Sequence, residues 1–182
     1  MYANYRPTTH NNHQRGLTLL ELAVVILVIS AVGLVALHYY YKLMVDIERT
    51  TMERDVSAMR SAIGLQIAAH YAGGRMAELE GWTGGNPMEL LVEPPDNYRG
   101  VIEQVDLELK KGSWYFDKSR GVLIYLARNR LYFESELDNP ARAEFQLEAL
   151  FTERQSGETV YQQVSGLELK TIHPYRWVSP WG

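Results

Sequence analysis

An apolar run near the amino terminus is the feature that most constrains this chain. Leu17 to Leu37 makes 21 residues in which Glu21 is the one charged side chain. A bilayer core about 30 Å thick is crossed by about 20 residues of helix, so this run is long enough to span a membrane. In a chain of 182 residues, the run predicts one membrane anchor and one further domain rather than two full domains.

The residues on either side of the apolar run indicate its orientation. Arg6 and Arg15 precede it, and basic residues favour the cytoplasmic side of a membrane. Tyr39, Tyr40 and Tyr41 follow it, and tyrosines at such a position are typical of the membrane–water interface. We therefore expect a cytoplasmic amino terminus and a carboxyl-terminal domain outside the cytoplasm.

Glu21 is the residue that a plain membrane anchor leaves unexplained. A charge at the centre of a membrane helix costs about 2.5–3.5 kcal/mol, and less near its end, so such residues usually have a partner. In one interpretation, Glu21 lies near the head groups and complements the positive end of a helix that starts near Leu17. In the other, Glu21 has a functional partner, and physical reasoning from the sequence leaves both interpretations open.

An ordinary cleaved secretory signal is the simplest competing explanation for the apolar run. Such a signal has an apolar core of about 7–15 residues that ends at a small-x-small cleavage site. Here the run is longer, an acid interrupts its start, and bulky residues from Leu37 to Tyr41 follow it. The pattern therefore argues against ordinary signal-peptide cleavage.

The segment RGLTLLELAVVILVIS, residues 15–30, resembles the class III signal of type IV pilins and type II secretion pseudopilins. That signal combines a basic leader, a glycine, an apolar residue and a glutamate as the fifth residue of the mature chain. All four features stand at the start of a long helix. Gly16, Leu17, Thr18 and Glu21 match the pattern in place.

The resemblance implies how the chain is processed and assembled. A prepilin peptidase, an aspartyl membrane protease, would cleave between Gly16 and Leu17 and methylate the new amine of Leu17. Glu21 would pair with the cationic amino terminus of a neighbouring subunit as a filament assembles. The implied partners are this peptidase, other pilin or pseudopilin subunits, the inner-membrane assembly platform and the lipid bilayer. The implied location is the bacterial inner membrane, with a periplasmic head, and afterwards a pilus or pseudopilus.

The expected fold is α+β and pilin-like, with a long amino-terminal helix packed on a carboxyl-terminal antiparallel sheet. Residues 1–16 form a cytoplasmic leader, and 17–72 form the helix, with its transmembrane segment at about 17–38. Residues 73–182 form a periplasmic or extracellular head. Within the head, 73–100 is a connecting region and 101–172 is the sheet.

The second half of the long helix is predicted to pack on the head. Its apolar residues recur at spacings of four, three, four and four, which is one stripe of an amphipathic helix: Met52, Val56, Met59, Ile63 and Ile67. Gly73 and Gly74 predict that the helix ends near Tyr71.

The connecting region and the sheet are predicted from turn residues and from a change of period. The connecting region is long for a bare loop, so we expect packing by Trp82, Leu90 and Leu91. After Gly100 the apolar residues alternate, which predicts strands. The predicted strands are 101–109, a hairpin of 113–117 with 121–127, then 130–137, 143–151, and a last pair of 160–164 with 167–172.

The sequence contains no motif for enzymatic chemistry. GxxxxGK, HExxH, GxSxG and GxGxxG are absent. His10 and His13 have no third ligand nearby, and no motif ties a serine or carboxylate to His173. Asp117 and Asp138 lack the ligand series of a calcium loop, so turn chemistry is the better interpretation. We therefore predict no catalytic residue, no metal and no cofactor.

Charge and cysteine content exclude further classes. The formal net charge is -4, whereas nucleic-acid binding needs a basic face, so no nucleic-acid partner is predicted. The absence of cysteine excludes disulfides and thiolate metal sites. The leading interpretation is a structural subunit, a minor pilin or pseudopilin. The alternative is an uncleaved, membrane-anchored periplasmic binding module or enzyme.

Overall fold

The computed structural model of the protein describes residues 18–103, 105–137, 139–156 and 159–181. The chain divides into two compact units, with the boundary between Tyr41 and Lys42. Helix α1 (Leu19–Ala72) belongs to both units, because its sequence crosses this boundary. All strands belong to the second unit, which we call the head unit, Lys42–Gly182.

The end of α1 follows from its two glycines, as predicted. Gly74 has φ of 66°, a left-handed conformation that glycine adopts without strain. Its N–H donates to the Tyr71 carbonyl at 3.1 Å, and the Arg75 N–H donates to the His70 carbonyl at 2.8 Å. These two bonds form a Schellman motif, which satisfies carbonyls that the end of a helix otherwise leaves without partners.

The predicted apolar stripe of α1 lies in the core of the head unit. Met52 and Met59 are fully buried, Val56 and Ile63 are nearly so, and Ile67 packs against them partly exposed. Asp55 lies beside the stripe and is 4% exposed. Its Oδ2 accepts a hydrogen bond of 3.0 Å from the indole N–H of Trp114. The buried carboxylate therefore has a hydrogen-bond donor within the core.

The larger sheet is mixed rather than antiparallel. Its strand order is β1-β2-β3-β5-β6, and β1 runs parallel to β2, while the other neighbours are antiparallel. β4 and β7 form a separate antiparallel pair. The strands are β1 (Tyr98–Ile102), β2 (Ser113–Asp117), β3 (Val122–Leu126), β4 (Phe133–Ser135), β5 (Arg142–Ser156), β6 (Thr159–Thr171) and β7 (Tyr175–Trp177).

The predicted strand at 101–109 was wrong, and its alternating residues have another use. β1 ends at Ile102, and the described residues from 105 to 112 form turns and irregular structure. Parallel neighbours need a crossover connection, and this segment supplies it. Val105 and Leu109 pack on the outer face of the sheet, against buried side chains that include Ile124 and Leu126. The alternation therefore marks a segment that covers the sheet rather than one that joins it.

The last predicted pair, 160–164 with 167–172, was also wrong. Residues 160–171 belong to one strand, β6, which pairs with β5 over its length and passes a register shift opposite Leu150 and Phe151. The predicted hairpin of β2 and β3 is confirmed, since Asp117 pairs with Val122 across its turn.

The connecting region packs on the head, as predicted. Trp82 and Leu91 are partly buried against the main core, and Leu90 is buried in it. The region also approaches the β2–β3 turn closely at two glycines. A Cβ on Gly121, whose φ is 62°, would lie 2.7 Å from the carbonyl oxygen of Gly84. Gly121 is therefore required by both its conformation and this contact.

Candidate functional site

Thr18 and Glu21 meet at the amino end of α1. The backbone N–H of Thr18 donates to Glu21 Oε2 at 3.3 Å, and the N–H of Glu21 donates to Thr18 Oγ1 at 3.2 Å. The N–H of Leu22 donates to the Thr18 carbonyl at 3.0 Å. This reciprocal arrangement is a capping box, in which a threonine and a glutamate three residues later satisfy two N–H groups at the start of a helix.

The capping box gives Glu21 a partner within its own chain. The charge of Glu21 at the positive end of a helix was predicted from the sequence, but its hydrogen bonds with Thr18 were not. The T-x-x-E signal of Thr18 to Glu21 could have found them. Glu21 is exposed, and a carboxylate offers about four acceptor sites, so the box leaves capacity for a second partner. The assembly role of Glu21 stays a prediction. Gly16 and Leu17 lie outside the described residues.

The first part of α1 presents apolar side chains in every direction. Every residue from 18 to 41 is exposed, and most of them are large and apolar. Within the described residues, α1 is the one helix that is long and apolar enough to cross a membrane by length and composition. A helix that is apolar all round is covered by lipid or by other helices. Gly33 has open space around it, so a neighbouring helix can approach the backbone there.

Glu48, on the head unit's part of α1, is a carboxylate that accepts hydrogen bonds on both of its oxygens. Its Oε1 accepts from the Tyr125 hydroxyl at 3.1 Å and from the Arg128 N–H at 2.6 Å. Its Oε2 accepts from the Asn129 N–H at 3.1 Å and from Asn129 Nδ2 at 2.5 Å. Burial, and then the negative charge of Glu48, raise the pKa of Tyr125, so its hydroxyl keeps the proton that it donates. Sequence reasoning did not find this cluster, which attaches α1 to the end of β3.

Glu144 is a fully buried carboxylate on β5, and two arginines hold it. Arg120 donates to both of its oxygens, at 3.1 and 2.5 Å, and Arg142 Nε donates at 2.9 Å. Burial alone would raise the pKa of Glu144, but the hydrogen bonds from Arg120 and Arg142 outweigh burial and lower it. The group therefore stays ionised and structural, and it ties the β2–β3 turn to β5.

The remaining candidate residues from the sequence form no catalytic or metal-binding group in the part of the chain that the structure describes. Asp117 Oδ1 accepts from the Ser119 N–H, the Ser119 hydroxyl and the Arg120 N–H, which confirms the turn interpretation. His173 is half-buried. Among the described residues, no three His, Cys, Asp or Glu side chains are grouped to hold a metal ion. His10, His13 and Asp138 lie outside those residues.

Comparison with known proteins finds a match for the amino-terminal segment alone. No curated protein and no solved structure matches the chain. A family model described as the prokaryotic N-terminal methylation motif matches residues 11–37. This range contains Thr18 and Glu21 and the exposed apolar start of α1. The chain therefore carries the class III prepilin signal, the N-terminal methylation motif that is found in type IV pilins and pseudopilins.

Proposed function

We propose that this chain is a structural subunit, a minor pilin or pseudopilin, of a type IV pilus or a type II secretion-like filament. The observation that supports this most directly is the methylation motif at residues 11–37, which opens an exposed apolar helix. A helix of this kind needs a cover of lipid before assembly and a cover of neighbouring helices afterwards. Subunits that carry the motif are typically not enzymes, and we propose no catalytic role.

Processing follows from the same motif. Residues 1–16 would be a cytoplasmic leader, removed by a prepilin peptidase that cleaves after Gly16 and methylates Leu17. The segment at about 17–38 would then span the inner membrane, with the head in the periplasm until the subunit enters a filament. The partners in this proposal are the peptidase, other pilin or pseudopilin subunits and the inner-membrane assembly platform.

The mass of the protein extracted from membranes tests the processing step. We expect the loss of residues 1–16 and the gain of one methyl group. Gly16→Leu should block cleavage, because a bulky side chain obstructs the extended backbone that a protease must accept. Gly33→Leu is the matched control, since its site is open and lies within the helix, and it should be cleaved normally. An intact amino terminus in the parent protein would instead favour an uncleaved anchored module.

Glu21 is proposed to pair with the cationic amino terminus of Leu17 on a neighbouring subunit. A carboxylate in lipid is unfavourable without a partner, and this amine exists only after cleavage. Positions 17 and 21 are also neighbours within one helix, so a pair inside the same chain is the alternative. The two pairings predict different results for filament assembly. Loss of a pair between subunits should impair assembly, whereas loss of a pair within one chain should not.

Glu21→Gln separates charge from capping. Glutamine also serves in a capping box, so the start of α1 should persist while the charge is lost. We expect this variant to be cleaved and inserted, yet to be absent from purified filaments. Thr18→Ala keeps the charge and removes the threonine cap, so once it is shown to be cleaved it should still assemble. Normal incorporation of Glu21→Gln, or equal failure of both cleaved variants, would contradict the proposed pair.

A further inference from the structure

The larger sheet of the head unit has two open edges. β1 and β6 stand at the two ends of its strand order, and each pairs with one neighbour. Among the described residues, 99–101 of β1 and 166–170 of β6 make no backbone–backbone hydrogen bond outside the sheet. An edge strand presents unpaired N–H and C=O groups, which bind a further strand when one approaches.

The strand directions allow the two edges to meet between copies of the same orientation. β1 runs parallel to β2, and each later neighbour in the order reverses direction, so β6 runs antiparallel to β1. When two copies lie side by side in one orientation, β6 of one copy therefore meets β1 of the other as an antiparallel pair. Two β6 edges lack this property, because an antiparallel pair of them requires one copy to be inverted.

The side chains on the two edges favour one register. Arg99 and Glu168 are exposed, and neither has an ion-pair partner among the described residues. An antiparallel pair that sets Arg99 opposite Glu168 also sets Tyr98 opposite Leu169. Tyr98 packs on the main core and Leu169 is buried in it, so both sheets turn the same face toward their helices. A slip of two residues would oppose Arg99 to Lys170 in one direction and to a glycine in the other, and a slip of one residue would mismatch the faces.

We propose that β6 of one copy adds to β1 of a second copy, with Arg99 opposite Glu168, so that the sheet continues from one head unit to the next. The contact joins two different surfaces and keeps one orientation. It can therefore repeat from copy to copy, and such a contact builds a filament when its rotation does not close a ring. This inference deepens the proposed function and rests on it for the neighbouring copies, because it names the surface through which head units meet.

A disulfide between engineered cysteines tests the contact, because the chain has no native cysteine. Cells co-express the full chain as Arg99→Cys and as Glu168→Cys, and their membranes are oxidised with copper phenanthroline. We expect a disulfide-linked band at the mass of two chains that neither variant gives alone.

An internal disulfide cannot imitate this result. Within one chain, the two positions lie four strand spacings apart, about 19 Å, whereas a disulfide joins Cα atoms about 4.4–6.8 Å apart. A chain that carries both cysteines should therefore give a ladder of disulfide-linked multimers.

Glu148→Cys, co-expressed with Arg99→Cys, is the matched control. Glu148 lies directly opposite Glu168 on β5, one strand inside the edge, so its Cα would lie about 10 Å from that of Arg99 in the neighbouring copy. Equal crosslinking of both pairs would show random collision, and no crosslinking of the edge pair would show that the sheets do not join. Either result would overturn the inference. Asn97→Cys with Lys170→Cys is a second pair in the same register, and it provides the same test if the first pair does not fold.

Entry into filaments is measured separately, from the parent chain in sheared and purified filaments. A chain that forms the edge disulfide in membranes but enters no filament would support this inference and contradict the proposed function. A chain that enters filaments without forming the disulfide there would contradict this inference alone.

Discussion

Replacing Glu48 with glutamine should destabilise the head unit strongly, although the two side chains have nearly the same shape. The Glu48 carboxylate accepts four hydrogen bonds, and two of the donors are the backbone N–H groups of Arg128 and Asn129. Those N–H groups contact different oxygens and cannot rotate away. The glutamine amide has two possible orientations, and in each of them its NH₂ group faces one of these fixed N–H groups.

The size of the effect follows from these contacts. Leaving one donor without an acceptor costs about 1–3 kcal/mol, and hydrogen bonds to a charged group exceed neutral ones by about 1 kcal/mol. Tyr125 is 1% exposed, so water cannot readily replace its lost partner. Arg128 is exposed and regains some hydration, which reduces the cost. We expect Glu48→Gln to lower the free energy of unfolding by about 2–4 kcal/mol.

Urea unfolding of the head unit, Lys42–Gly182, measures this loss through its tryptophan fluorescence, to which the buried Trp114 contributes. Glu53→Gln is the matched control on the same helix. Glu53 pairs with Arg49 at 2.8 Å, and both side chains are about half exposed. An exposed pair of this type contributes about 0.3–0.5 kcal/mol. If Glu48→Gln were no more destabilising than Glu53→Gln, the view that Glu48 fastens α1 to the sheet would be wrong.

Further predictions test the core, a buried charge and the role of the helix. Met59→Ala should lower the free energy of unfolding by about 2–5 kcal/mol because the side chain is fully buried, whereas Leu65→Ala, at an exposed site, should change it by no more than about 0.5 kcal/mol in the same urea titration. The pKa of Glu144 is lower in the folded state than in the unfolded state, so the unfolded state binds more protons in acid; the stability that Glu144 contributes is present above about pH 4.5 and is lost as pH falls through its folded pKa. Thermal melts from pH 7 to pH 3 should therefore show the parent losing its advantage over Glu144→Gln, and a constant difference would contradict this. Residues 72–182 alone should melt well below residues 42–182, because only the longer fragment contains the buried stripe, and equal melting temperatures would show that α1 does not pack on the sheet.

Features that depend on neighbouring residues could be predicted well from the sequence. The buried stripe from Met52 to Ile63, the helix end at Gly74 and the β2–β3 hairpin are all confirmed, because helical period, glycine conformation and turn residues act over a few positions. The capping box was equally local, and Thr18 could have predicted it.

The wrong strand predictions concern segments whose local pattern is compatible with more than one packing arrangement. Alternation in 101–109 predicted a strand, yet Val105 and Leu109 alternate because they cover the outer face of the sheet. The parallel pairing of β1 with β2 follows from that crossover, which no local spacing reveals. The register shift opposite Leu150 and Phe151 interrupts the alternation along β6. The sequence pattern of this one strand therefore resembles that of two strands.

The sequence by itself determined the membrane-length run, the methylation motif and the stripe that packs on the head. Each depends on composition or fixed spacing along a continuous segment, and that information is linear. Only the tertiary structure decided that Glu48 meets Asn129, 81 residues away, and that Trp181 meets Asp46, 135 residues away. Such pairs depend on which strands lie side by side and in which direction. The chain acquires that information only when its apolar faces pack against one another.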